Sequence, residues 1–205
     1  MKPSLENETL SKILKAAKNV FSKEGFDGAR VDEIAKQANV NKAMIYYHFK
    51  SKEDLYDSVV DSIFSKDSLE IINSSEEKDP FLKLEKLIRL FFDNMETNKA
   101  ERCSIIAREL VSRSDIFIKM RDKYWIPDFH LINDLLNKGK EDGFFNFESP
   151  SELITFTIQS HIIFYKINEV TYYESDIFEL LYPDNNQERM IGYILSILKK
   201  LLYKD

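Results

Sequence analysis

The sequence predicts an all-α protein, and two observations carry that prediction. Five glycines and five prolines in 205 residues leave few places for turns. The apolar residues recur mostly three and four positions apart, which is the spacing of a helix face rather than a strand face. With 43% apolar and 31% charged residues, the composition is that of a soluble globular protein able to bury a core. The architecture expected is an amino-terminal three-helix helix-turn-helix domain over residues 1–55, followed by a larger helical domain over residues 56–205.

The first helix is expected from near Thr9 to Lys23, because Ile13, Leu14, Ala17, Val20 and Phe21 share one face while Lys12, Lys15, Lys18 and Lys23 point elsewhere. Gly25 stops it. A short helix from about Val31 to Ala38 turns Val31, Ile34, Ala35 and Ala38 inward and ends at the turn Asn39-Val40-Asn41. Asn39 suits a left-handed turn position, and Asn41 can cap the helix that follows over about Lys42 to Phe49. Ser51-Lys52-Glu53-Asp54 opens a fourth helix with a serine cap and an acidic first turn.

Beyond Ile72, the run Asn73-Ser74-Ser75-Glu76-Glu77-Lys78-Asp79-Pro80 reads as a polar linker, with Pro80 at the start of a helix to about Met95. Further helices are expected over Glu101–Val111, Asp115–Tyr124, Asp128–Asp142, Ser151–Tyr172 and Gln187–Tyr203. Gly139 and Gly143 bracket the end of one of them, and Phe144-Phe145-Asn146-Phe147 makes an apolar turn before Pro150. No internal repeat is visible.

Several function classes are disfavoured. Cys103 is the one cysteine, so no intramolecular disulfide can form, and Met1-Lys2-Pro3-Ser4 lacks the apolar core of a secretory signal, which predicts a cytoplasmic protein. The apolar stretch Ile158–Val170 is broken by Gln159, Ser160, His161, Lys166, Asn168 and Glu169, so no membrane partner is expected. Three histidines, no glycine-rich phosphate loop, no paired-histidine metal motif and no serine in a strained glycine turn argue against an enzyme, a metal site or a cofactor. The net charge of −6 is unevenly spread: residues 1–55 hold ten Lys and Arg against eight Asp and Glu, and the rest of the chain carries net −8. That modest asymmetry points towards nucleic acid at the amino-terminal end.

Two short helices joined by a tight turn, with a third packed across them, form a helix-turn-helix whose second helix can enter the major groove. Ile34, Ala35, Ala38, Val40 and Ile45 supply the apolar wedge, leaving Lys42, Met44, Tyr46, Tyr47 and His48 as an outer polar and aromatic set. The same spacing also suits an ordinary three-helix core. From Ile13 to Leu55, however, the chain resembles the tetracycline-repressor (TetR) family. The family pattern is Phe-x-x-x-Gly-aromatic, then Ile-Ala-x-x-Ala-Gly-Val-Ser, then Leu-Tyr-x-His/Tyr-Phe-x-x-Lys-x-x-Leu. Here it is met by Phe21 to Phe26, by Ile34 to Asn41, and by Ile45-Tyr46-Tyr47-His48-Phe49 through Lys52 to Leu55.

The resemblance implies that Tyr46 and Lys52 contact DNA phosphates and that Lys42, Met44, Tyr47 and His48 lie on the recognition helix. A lysine in a helix's first turn and a tyrosine hydroxyl are both sound phosphate donors. The chain departs from the family in having Asn39 for Gly and Asn41 for Ser, which keep the backbone roles. It also has Ala29-Arg30 where a hydroxyl cap is usual, so Arg30 stands in as a charge. Met44 replaces a small residue and offers an apolar contact, as to a thymine methyl.

For the remainder, the resemblance implies a ligand-binding and dimerisation domain whose last two long helices form a four-helix bundle across a two-fold axis. Phe156, Ile163 and Ile167 on one helix and Met190, Ile191, Ile194 and Leu198 on the other are the expected dimer contacts, and a wide monomeric core is the alternative. Phe91, Tyr124, Trp125 and Phe129 could wall an apolar or amphiphilic effector, with Asn94, Arg108, Glu109, His130, Gln159 and His161 orienting it. The expected partners are thus double-stranded DNA with a palindromic operator, a small-molecule effector and a second copy of the chain. A helical adaptor that has lost sequence-specific DNA binding is the alternative, motivated by Ala29-Arg30 and Met44.

Overall fold

The computed structural model describes residues 5–64, 68–96, 98–112, 114–182 and 187–203, and among them there is helix and no strand. The chain divides into two compact units: Met1–Ser65 with Asn98–Ile118, and Lys66–Thr97 with Lys119–Asp205. This packing division differs from the functional division expected at residue 55, since it takes a later helix into the first unit. Sequence distance hides where that helix packs, because its hydrogen-bond partners lie 39, 53 and 85 residues upstream.

The first unit contains α1 (Leu5–Gly28), α2 (Val31–Ala38), α3 (Lys42–His48), α4 (Lys52–Ile63) and α7 (Lys99–Ser112). Ile13, Ala17, Val20 and Phe21 of α1 are buried, as their spacing predicts, and α1 packs against α2, α4 and α7. Gly25 interrupts α1 with φ 71° and ψ 177°, a combination open essentially to glycine alone. Phe26 is thereby swung back onto the core, edge-on to Tyr56 at 5.3 Å between ring centroids, while Phe21 meets Tyr56 at 4.7 Å. The Tyr56 hydroxyl donates to Glu109 Oε1 of α7 at 2.8 Å, and the hydroxyls of Ser112 and Ser114 donate to Glu109 Oε2. Two arginines of α7 close the unit: Arg102 donates to the Ile63 carbonyl at the end of α4, and Arg108 to the Lys23 carbonyl. Burial pushes the Arg102 guanidinium down to about 10.

The second unit contains α5 (Ser68–Asn73), α6 (Pro80–Glu96), α9 (Ile126–Glu141), α10 (Ser151–Thr171), α11 (Asp176–Leu181) and α12 (Glu188–Leu202). A π-helical turn over Arg121–Trp125 leads into α9, with Pro127 in the first turn where its missing N–H costs nothing. Between them, α8 (Asp115–Met120) falls at the division. The core joins Phe81, Leu84, Leu87, Ile88 and Phe92 of α6 to Ile132 and Leu136 of α9, Ile154, Ile158 and Ile162 of α10, and Ile191, Ile194 and Leu198 of α12. Phe145 and Phe147 of the expected apolar turn are buried, whereas Phe144 is exposed. Gly139 makes room for this turn: a Cβ there would sit 2.4 Å from Phe145 Cε2.

A charged cluster lies in the same core. Lys166 is 0% exposed, and its Nζ donates to Glu96, to Gln187 Oε1 at 2.9 Å and to Glu169 Oε2 at 3.4 Å, above the rings of Phe92 and Tyr165. No helix among the described residues is long and apolar enough to cross a membrane.

Candidate nucleic-acid interface

Caps fix the helix-turn-helix of α2 and α3 and the start of α4. Asn39 adopts φ 54° and ψ 47°, the left-handed turn expected of it, and closes α2 through backbone bonds to Ala35 and Lys36. Asn41 then caps α3, its side-chain oxygen accepting from the Met44 amide at 2.7 Å. Ser51 caps α4 by accepting from the Asp54 amide at 3.2 Å, and Asp54 in turn accepts from the Lys50 amide at 2.9 Å. Arg30 occupies the cap position of α2 with no side-chain cap bond, and its carbonyl accepts from the Glu33 and Ile34 amides.

Ile45, 1% exposed, is the one buried residue of the seven-residue α3. Lys42, Met44, Tyr46 and Tyr47 are all exposed, Tyr47 to 73%, and His48 is half-buried, edge-on to Tyr47 at 5.1 Å. The structure therefore brings these five expected residues onto one short helix pinned by a single apolar anchor. Two of the expected cations are engaged. Lys42 Nζ bonds Asp32 Oδ2 of α2 at 3.0 Å, and that hydrogen bond raises the lysine's affinity for its proton. Lys52 Nζ donates to the Asp27 carbonyl at 3.3 Å and sits 4.7 Å from the Phe26 ring centroid, so α4 is tied to the corner made at Gly25. Asp32, Asp27 and Phe26 were not legible as partners, although Asp32 stands ten residues before Lys42 across a turn that brings two helix starts together.

The expected effector residues separate. Phe91, Asn94, Tyr124, Trp125, Phe129, His130, Gln159 and His161 belong to the second unit, where Tyr124 is buried and both histidines are exposed. His161 Nδ1 is 2.8 Å from the Thr157 carbonyl, and Phe129 meets His130 edge-on at 6.1 Å. Arg108 and Glu109 belong to the first unit and are occupied there by Lys23, Tyr56, Ser112 and Ser114.

The expected dimer residues also divide. Ile191, Ile194 and Leu198 are buried in the core of their own chain and present no free face. Phe156 is 64% exposed, while Ile163, Ile167 and Met190 are half-buried. Leu153 and Phe164 on α10 and Tyr193 on α12 are exposed apolar residues outside the expected dimer set.

The comparisons agree with this geometry. Residues 13–59 match the family model described as bacterial regulatory proteins, tetR family. The HTH-type transcriptional repressor NicS of Pseudomonas putida is 41% identical over 93 residues, 42% of each chain. The IcaR negative transcriptional regulator of the biofilm operon in Staphylococcus aureus is 45% identical over 53 residues, 26% of this chain and 28% of that one. The matched residues thus span less than half the length of either relative. A solved Clostridium perfringens structure designated a fatty acid metabolism regulator superposes with TM-score 0.76 at 26% identity, covering 94% of this chain and all of that one. Residues 13–59 thus carry the pattern of the tetR family of bacterial regulatory proteins, and the chain shares its helical fold with a regulator of known structure.

Proposed function

We propose that the protein is a DNA-binding transcriptional repressor that sits on a palindromic operator as a two-fold dimer and is released by a small apolar or amphiphilic effector. The observation that carries the reading is the exposed face of α3. A helix anchored by Ile45 alone holds out Lys42, Met44, Tyr46 and Tyr47, which is the arrangement a major-groove reader needs. Arg30, Tyr46 and Lys52 are assigned to the phosphates, and Lys42, Met44, Tyr47 and His48 to the recognition helix. Dimerisation is assigned to the face of α10 and α12 that bears Phe156, Phe164 and Tyr193, with Ile163, Ile167 and Met190 at its edge. An effector held by the second unit, among Phe91, Asn94, Tyr124, Trp125, Phe129, His130, Gln159 and His161, releases DNA by preferring the geometry that does not fit the operator. The likeness to a regulator of fatty acid metabolism supports an amphiphilic class of effector.

The test is a pair of substitutions assayed on several duplexes. Lys52→Ala is expected to weaken binding to all of them by a similar factor, whereas Tyr47→Ala reorders preference among them. Equal factors for both variants on every duplex would undo the base-reading assignment, and no binding by the unaltered protein would favour the adaptor reading.

A further inference from the structure

We propose that Asp32 is a specificity-determining residue of the reader: its carboxylate clasps Lys42 at the start of α3 and withholds that cation from duplexes that do not dock closely. The inference rests on the DNA-binding reading above.

Asp32 lies in the first turn of α2 and Lys42 is the first residue of α3, so the 3.0 Å contact joins the starts of the two helices that flank the turn. The neighbouring carboxylate is differently employed. Glu33 accepts from Gln37 Nε2 at 3.0 Å, and Gln37 accepts from Asn19 Nδ2 at 2.8 Å, so Glu33 serves the packing of α2 on α1. Asp32 alone of the pair is directed at the recognition helix. Both clasp partners are exposed, at 47% for the lysine and 73% for the aspartate side chain.

An exposed pair of this kind holds its members weakly, so a phosphate oxygen brought to the same ammonium can replace the carboxylate. The replacement differs from an ordinary phosphate contact in two respects. Lys42 enters already neutralised, so it attracts no duplex from a distance. Once displaced, the Asp32 carboxylate remains beside the phosphate and repels it. Where the rest of the interface presses a phosphate against the start of α3, close contact offsets the exchange. Where the duplex is held loosely through solvent, Lys42 stays with Asp32. Non-specific binding is almost wholly electrostatic, so the clasp subtracts most from non-specific binding.

The test uses the full-length chain, a selected operator duplex and a duplex of random sequence, titrated at several salt concentrations. Asp32→Asn keeps the shape and removes the charge. It is expected to tighten binding to the random duplex about three- to tenfold near 0.1 M salt and to steepen the salt dependence by about one unit of log-log slope. The operator is expected to gain less, so the ratio of operator to random affinity falls. In the Lys42→Ala background the same substitution only relieves repulsion by the carboxylate, so it is expected to leave the salt dependence unsteepened on either duplex.

Unchanged random-duplex affinity in Asp32→Asn, or a steepening of the salt dependence that persists without Lys42, overturns the clasp while leaving the DNA-binding reading intact. Failure of the unaltered chain to bind any duplex at low salt overturns both.

Discussion

Glu109 illustrates what single residues conceal. Its sequence position suggests a surface salt bridge or a contact for a cationic ligand, yet it is buried and serves as the acceptor for Tyr56, fifty-three residues away, and for two serine hydroxyls. The same holds for Lys166, which interrupts an apolar run and is fully buried between Glu96, Glu169 and Gln187. In both cases one partner is far away in sequence, Tyr56 for Glu109 and Glu96 for Lys166, so no periodicity announces it. Locally determined residues were legible: Asn39, Asn41, Ser51 and Gly25 depend on their own backbone and on bonds within four residues. Tyr56→Phe tests the non-local bond, because it keeps the ring among Phe21 and Phe26 and removes only the donor to a buried carboxylate. Urea unfolding is expected to show a loss of about 1–3 kcal/mol. An unchanged midpoint would mean that the two serines satisfy Glu109 alone.

At the scale of elements, the long helices follow the apolar pattern to within a few residues, and the helices that escaped it are the shortest. The elements α5 and α11 have six residues each, too few for a face to repeat. The π-helical turn before α9 has no pattern of its own, because it is the same helix with one wider turn. The fit of α5 to α9 includes the hydroxyl of Ser68 donating to Asp128, whose carboxyl burial pushes up to about 6 from the ordinary 3.8. The folded protein therefore keeps this proton up to about pH 6, while the unfolded chain releases it near pH 4. Between those values folding takes up a proton, so stability from this group is lost as pH rises through the window, in all by about 3 kcal/mol. Asp128→Asn is expected to remove that loss: relative to the unaltered protein it gains stability at pH 7.5 but not at pH 4, as read from urea midpoints. The same difference at both pH values would refute the burial of a charge at this position.

The whole molecule carries an apolar surface that its own core does not explain. Leu153, Phe156 and Phe164 of α10 and Tyr193 of α12 are exposed, while Ile191, Ile194 and Leu198, equally apolar in sequence, are spent inside the second unit. Sequence pattern reported that both helices were apolar on more than one side, but not which side was left over, because that choice is made by α6 and α9 packing from elsewhere in the chain. If the exposed side is the dimer face, Phe164→Glu places two like charges near a two-fold axis. It is then expected to turn a dimer into a monomer by analytical ultracentrifugation at micromolar concentration, with helix content unchanged. A chain that sediments as a monomer before any substitution would end the two-fold account.

The proposed dimer, the capped helix-turn-helix and the exposed face of α3 meet in one observable, the shape of the DNA site that the proposed function requires. Duplexes selected from a random pool by the purified protein, at two salt concentrations, measure it directly. The account expects an enriched palindrome with half-sites about one helical turn or somewhat more apart, bound with steep salt dependence. Enrichment of nothing, or of an asymmetric site with no dependence on salt, would contradict it.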